Sequence, residues 1–376
     1  MRGRDVFVVA DNVFTPLGKT TAENFENLKQ GKSAVTKHAD RSISPQPFYA
    51  ALFDKDAAFL KDQTYTKFEA LLIASIGDAL KQTDLGVSGK KTVLIISSTK
   101  GNISLLETEK YAAELQERIS LSASATLVAA RFGFINPPVI VSNACVSGVM
   151  AIITGMRLLR TGQYENAVIT GADVISEFIL SGFQSFQALS QQICKPFDKD
   201  RDGLNLGEGA GTIILSTNTK YSGSVRSLGG GISNDANHIS GPSRTGEELS
   251  FAINRALKDA VLSANAVDFI SAHGTATVYN DEMEANAIAL SGLASVPLNS
   301  LKANYGHTLG AAGLIESIIS VRSLQEDTIL PTLGFEEYGV AKTVNVVKSA
   351  LNTITQNFLK TASGFGGCNA AVVFGK

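Results

Sequence analysis

The stretch Val139-Ile140-Val141-Ser142-Asn143-Ala144-Cys145-Val146-Ser147-Gly148 decides how this chain is read. A short apolar, β-branched run ends in a turn of small residues, and a helical pattern follows over Ser147–Arg160. A strand that enters a helix through such a turn is the building unit of layered α/β proteins. Cys145 stands at the start of that helix, where the positive end of the macrodipole favours a thiolate. A lone cysteine between Ala and Val otherwise reads as a small buried hydrophobe. Cys194 and Cys368 show how little a cysteine means by itself.

Outward from this stretch, strand-like runs at 93–97, 139–142, 167–170 and 211–216 alternate with helical patterns at 66–81, 247–263 and 310–325. The alternation predicts an α/β fold with largely buried sheets. A first strand is read at 6–10, too short for a signal-peptide core. The second half repeats the first in outline: a strand at 298–303 leads to a turn carrying His307, and a small-residue helix follows. Two similar halves are therefore expected, 1–217 with the cysteine and 218–376 with the histidine turns.

The 376 residues are 44% hydrophobic and 18% charged, enough to bury a large core. Lys and Arg number 33 against 35 Asp and Glu, well mixed, giving a net charge of −2. No basic block supports nucleic-acid binding, and no stretch reaches the ~18 apolar residues of a membrane span. An odd number of cysteines with no secretion signal argues against a disulfide framework and makes the cytoplasm the expected compartment. No CxxC or HxxxH spacing supports a metal site.

Two of the four histidines lie in Gly-rich turns after strand-like runs: Ala272-His273-Gly274-Thr275-Ala276-Thr277, and Asn304-Tyr305-Gly306-His307-Thr308-Leu309-Gly310. Glycine beside histidine permits close backbone approach where a side chain points into a cleft. With a cysteine at a helix start, the set reads as a nucleophile with two polarising partners.

Five motifs, in order, make the chain resemble the β-ketoacyl synthase family of the thiolase fold over nearly its whole length. They are Asn143-Ala144-Cys145-Val146-Ser147; the stretch from Lys195-Pro196-Phe197-Asp198 to Gly207-Glu208-Gly209-Ala210-Gly211; His273-Gly274-Thr275; Lys302-Ala303-Asn304-Tyr305-Gly306-His307; and Gly364-Phe365-Gly366-Gly367-Cys368-Asn369-Ala370. The resemblance implies a five-layered α/β/α/β/α fold and a decarboxylative condensation. Cys145 would carry the acyl group, with the backbone N–H groups of Cys145 and Phe365 as oxyanion hole. His273 and His307 would hold the enolate formed from malonyl on an acyl carrier protein. Lys302 and Glu316 would form a buried ion pair supporting His307. Thr275 and Thr277 would bind the pantetheine arm, and Asp281 and Glu284 would buttress their loop. No resident cofactor or metal is implied. The partners implied are the carrier protein and a second subunit, identical or related, paired through the strand near 138–143.

The chain departs from the family pattern at Val146, at Ser363 where a bulky aromatic is common, at Cys368 where Thr is common, and at Lys100-Gly101-Asn102. The last would be a polar loop near the far end of the acyl pocket. These departures bear on substrate choice and point to polyene or aryl-primed chains as well as fatty acids. A non-catalytic chain-length factor, a thiolase using Cys368 as base, and a single-histidine cysteine hydrolase are the rival readings. Intact Cys145 opposes the first, and the histidine pair opposes the other two.

Overall fold

In the computed structural model, residues 4–236 and 241–376 are described; His238 lies outside them. The first half supplies β1 (Phe7–Phe14), α1 (Lys67–Lys81), β2 (Thr92–Ser97), α2 (Leu121–Phe132), β3 (Val139–Val141), α3 (Ser147–Arg160), β4 (Asn166–Asp173), α4 (Glu177–Ser185) and β5 (Gly209–Ser216). The second half supplies β6 (Arg226–Asn234), α5 (Glu247–Ala260), β7 (Phe269–Ser271), α6 (Val278–Leu290), β8 (Leu298–Asn299), α7 (Leu309–Gln325), β9 (Asn357–Gly364) and β10 (Cys368–Gly375).

The strands run in the order β3-β2-β4-β5-β1 and then β6-β10-β9-β7-β8. Read from each outer edge inward, the two halves are the same pattern. β1–β5 and β5–β4 are antiparallel while β4–β2 and β2–β3 are parallel. β6–β10 and β10–β9 are antiparallel while β9–β7 and β7–β8 are parallel. Within the sheet the halves join where β1 meets β6 at Phe7 and Arg226, so one hydrogen-bonded sheet folds into two facing layers.

Between the layers lie α3 and α7, each packed against strands of both halves; α1 covers the first layer outside and α5 the second. The result is the expected five-layered α/β/α/β/α arrangement. Its central helices are predominantly apolar, as burial between two sheets demands. In α7 every residue from Leu309 to Val321 is buried.

Local chemistry sets the boundaries. α1 begins at a capping box, Thr66 with Glu69. β1 extends beyond the expected 6–10 to Phe14, because Asn12 is buried and donates to Lys19 O at 3.0 Å and Asp78 Oδ2 at 2.9 Å. The strand expected at 298–303 ends at Asn299, and Lys302–Tyr305 forms a short helical turn instead. Among the described residues, no helix is long and apolar enough to cross a membrane.

Candidate active site

Cys145 is presented by the turn between β3 and α3. Ala144 takes up a left-handed conformation, φ 44°. Ser147 braces it, its hydroxyl donating to Ala144 O at 2.6 Å and accepting from Asn143 N at 2.8 Å. Such backbone strain costs about 1–3 kcal/mol and persists only where the surroundings over-determine it.

The pseudo-symmetry brings His307 to the matching place in the other half. Each of these two residues lies two positions ahead of a central helix. His307 Nε2 sits 3.0 Å from Cys145 Sγ. Its backbone is anchored by donation to Asn205 O at 2.6 Å and acceptance from Gly207 N at 3.1 Å. Gly306, φ 67°, makes that approach feasible, since a Cβ there would lie 2.3 Å from Leu206 O.

His273 follows β7, and its ring lies 5.3 Å from that of His307, nearly perpendicular to it. Cys145 and both imidazoles line one cleft of about 970 Å³, together with Thr275, Thr277, Ser363 and Phe365. The two threonine hydroxyls are 2.9 Å apart. Phe365, on the β9–β10 connection, packs against Phe183 and Phe186 with ring centroids 5.8 and 5.3 Å away.

Burial pushes the Cys145 thiol up to about 12, and Asp173 adds to the rise. Lys302 and the backbone N–H groups of Cys145 and Phe365 act in the opposite sense. The sequence expectation of a thiolate at the helix start is therefore corrected. A macrodipole worth about 0.3–1 kcal/mol is outweighed by loss of solvent around the sulfur. Burial also holds both imidazoles well below their ordinary range, with Lys302 the next largest influence on each. Both rings are consequently neutral near pH 7, able to present one N–H and one lone pair each.

Lys302 and Glu316 form the expected buried ion pair. Lys302 Nζ also donates to the carbonyl of His273, at 2.9 Å. Its effect on His307 is one of charge. Asp281 and Glu284 do hold the histidine loop, accepting from Thr275 N and Phe197 N, and from His273 N and Gly274 N, respectively.

Asp173 and Lys360, buried charged residues close to the site, escaped the sequence reading. Asp173, at the end of β4, accepts from Gly310 N at 2.6 Å, Ser98 Oγ at 2.7 Å and Thr99 N, and burial raises its carboxyl to about 6. Lys360, in β9, is fully buried and places Nζ 2.5 Å from Glu316 Oε2. It lies in none of the recognised motifs. Its signal was a lysine amid Phe358, Leu359 and Ala362, the same anomaly that marks Glu316 in an apolar helix.

The divergent positions also have definite places. Cys368 donates to Asn143 Oδ1 at 2.8 Å and is not among the residues lining the cleft. Ser363 donates to Asn369 Oδ1 at 2.8 Å. Asn102 turns inward, donating to Glu69 Oε1, Ser124 Oγ and Arg118 O, beside the ion pair of buried Glu69 with half-buried Arg118. The expected polar lining at that position is corrected for Asn102, whose amide is consumed by its neighbours. Lys100 lies over the Phe178 ring, 5.8 Å from its centroid.

The profile of the beta-ketoacyl synthase N-terminal domain matches residues 3–220, and that of the C-terminal domain matches residues 226–336. A 3-oxoacyl-[acyl-carrier-protein] synthase 2 of Vibrio harveyi is 28% identical, over all of this chain and 99% of its own. The solved ishigamide ketosynthase/chain length factor superposes with a TM-score of 0.90 at 25% identity, covering 100% of this chain and 99% of the other. A β-ketoacyl synthase structure from Burkholderia phymatum gives 0.89 at 25% identity, with 99% of each chain covered.

Proposed function

Because this chain belongs to the β-ketoacyl synthase family, we propose that it catalyses decarboxylative condensation of an acyl group held on Cys145 with malonyl on an acyl carrier protein. The observation that carries this reading is the convergence of Cys145 with two neutral imidazoles, one of them 3.0 Å from the sulfur.

In the first half-reaction the Cys145 thiol attacks an acyl thioester. His307 Nε2 is the base within reach of its proton, which passes on to the departing carrier thiol. The N–H groups of Cys145 and Phe365, both of which interact with the sulfur, are the donors for the tetrahedral oxyanion. In the second half-reaction malonyl-carrier loses carbon dioxide, and the enolate oxygen accepts from Nε2–H of His273 and of His307, the latter having passed from the Nδ1–H tautomer that served as base to the Nε2–H tautomer. The enolate carbon attacks the acyl carbon, the carbon–sulfur bond to Cys145 breaks, the 3-oxoacyl-carrier leaves, and the Cys145 sulfur takes up a proton from solvent. Thr275 and Thr277, on the cleft wall, bind the pantetheine arm. Lys302 and Glu316 support the histidines from behind.

The substrates arrive on phosphopantetheine, and the reading requires no resident cofactor or metal. The chain works in the cytoplasm as a dimer with itself or a related subunit, joined through the free edge of β3, and serves fatty-acid or aryl-polyene-type chain building. The division at 217/218 follows the repeat of strand order. Release of carbon dioxide from labelled malonyl-carrier tests the chemistry. His273→Ala and His307→Ala should each slow it by about a hundredfold or more, the usual effect of losing one donor to an oxyanion. Cys145→Ala should abolish condensation, and Cys368→Ala should change little, because that thiol has no proton to move. Loss confined to Cys368→Ala would indicate a thiolase and overturn the assignment.

A further inference from the structure

The backbone on either side of the His273 Cα is held at four points. The peptide before it gives its N–H to Glu284 Oε1 at 2.8 Å, and its carbonyl, Ala272 O, accepts from Lys360 Nζ at 2.9 Å. The peptide after it gives its N–H to Glu284 Oε2 at 2.7 Å, and its carbonyl accepts from Lys302 Nζ at 2.9 Å. Glu316 joins the two ammonium groups, one on each carboxylate oxygen. Thr361, next to Lys360, donates to Glu284 Oε1 at 2.6 Å and ties the two carboxylates' networks together. With both flanking peptides fixed, the direction in which the His273 side chain leaves the chain is fixed as well.

We propose that Lys360 is a positioning residue for His273, completing this clamp from beneath and placing a second buried cation behind both imidazoles. A fully buried lysine is costly, and one carboxylate with one lysine would already form a neutral pair. The second lysine adds nothing to that pair's neutrality, yet it supplies the fourth point of the clamp. Its register explains its reach: Lys360 stands opposite Ser271 in the parallel β7–β9 pair, and Nζ extends to Ser271 O at 3.2 Å as well as Ala272 O.

The charged and titratable groups around the two rings are Lys302, Lys360 and Glu316 behind them, Glu284 under the His273 peptides, Cys145 in front, and Asp173 at the start of α7. The two carboxylates nearest the clamp are engaged by backbone N–H groups or by both lysines. Removing the Lys360 charge therefore leaves the rings facing a more negative surround and makes protonation easier. Lys360 already contributes to holding both imidazoles low, after burial and Lys302 and, for His273, after His307.

The inference rests on the reading of both histidines as enolate donors, so the decisive experiment separates the two. Lys360→Met keeps the volume but loses the donor and the charge; Lys360→Gln keeps a donor and loses the charge. Histidine labelled with 13C in the ring is titrated by NMR in folded protein without substrate, with His273→Ala and His307→Ala identifying the signals. In both Lys360 variants the His273 midpoint should rise by about one pH unit. In the decarboxylation assay at pH 8, Met should lower kcat by about tenfold with KM little changed, as expected for a misplaced donor, and Gln should recover most of that loss. Midpoints unmoved in both variants, with a rate that falls only as far as thermal stability falls, would overturn the proposal. Absence of any decarboxylation by the unaltered chain would instead overturn the functional reading, and the titration would still judge Lys360.

Discussion

Cys145 occupies a site where two electrostatic effects oppose each other. The start of α3 and two backbone N–H groups favour a thiolate, while a setting in which the residue is only 8% exposed favours the neutral thiol. Burial being the larger, the resting pair with His307 is thiol and neutral imidazole, not an ion pair. Alkylation by iodoacetamide distinguishes the two. A thiolate–imidazolium pair reacts at a rate nearly flat between about pH 5 and 8. The Cys145 thiol should instead react slowly at pH 7, and its rate should climb steadily through pH 9 without a plateau, followed by mass mapping of the labelled peptide. A flat profile would show that the dipole prevails. The same two groups carry a consequence for stability. Both imidazoles are held low by burial, so below about pH 6.5 the unfolded chain binds protons that the folded chain refuses. They therefore reduce stability progressively as pH falls from about 6.5, and His307→Phe should lessen the slope of Tm against pH across that window.

At the level of elements, the reach from Cys145 to His307 depends on how closely α3 and α7 approach. Gly148, in the first turn of α3, faces α7 so closely that a Cβ would lie 2.6 Å from Leu314 N and 3.0 Å from Gly310 O. Those are backbone atoms and cannot move aside, so Gly148→Ala must push the helices apart. The expected cost is about 1–3 kcal/mol, with a large fall in kcat, because Cys145 and His307 each stand two positions ahead of one of these helices. Gly313→Ala meets mainly the Val149 side chain, at 2.6 Å from Cγ2, and should be milder. Thermal unfolding and kcat of the pair check this; equal effects would sink the argument. Elements such as these were legible in the sequence: small residues and apolar periodicity gave α3 its exact span of Ser147–Arg160 and α7 all but its first residue. Where the reading fell short, a polar residue had an unseen partner. Asn12 hid the second half of β1, and Lys360 hid in a strand buried between helical layers. Asp173 had no motif at all. Its role depends on Ser98, Thr99 and Gly310, which come together only in the folded chain.

The whole molecule ends at an edge. Among the described residues, β3 is the outermost strand of the first half, hydrogen-bonded only to β2, and the nearby Ile135 is 54% exposed. An open edge of Val and Ile invites pairing with another strand, and native proteins guard such edges with charge, which β3 lacks. The proposed dimer covers it. Pairing there also bears on catalysis, because β2 runs directly into Ser98 and Thr99, which hold Asp173, and Asp173 holds Gly310 at the head of α7 three residues after His307. Ile140→Lys places a gatekeeper charge on the edge. In sedimentation or light scattering the unaltered chain should have twice the 39.6 kDa of one subunit, and the variant should shift toward a single mass at micromolar concentration. Its specific activity should fall over the same dilution range in which it dissociates, while its far-UV circular dichroism stays unchanged. A single mass that pairs only when a related subunit is added would assign the edge to a heterodimer. An unaltered chain that stays monomeric and fully active alone would remove β3 from the function altogether.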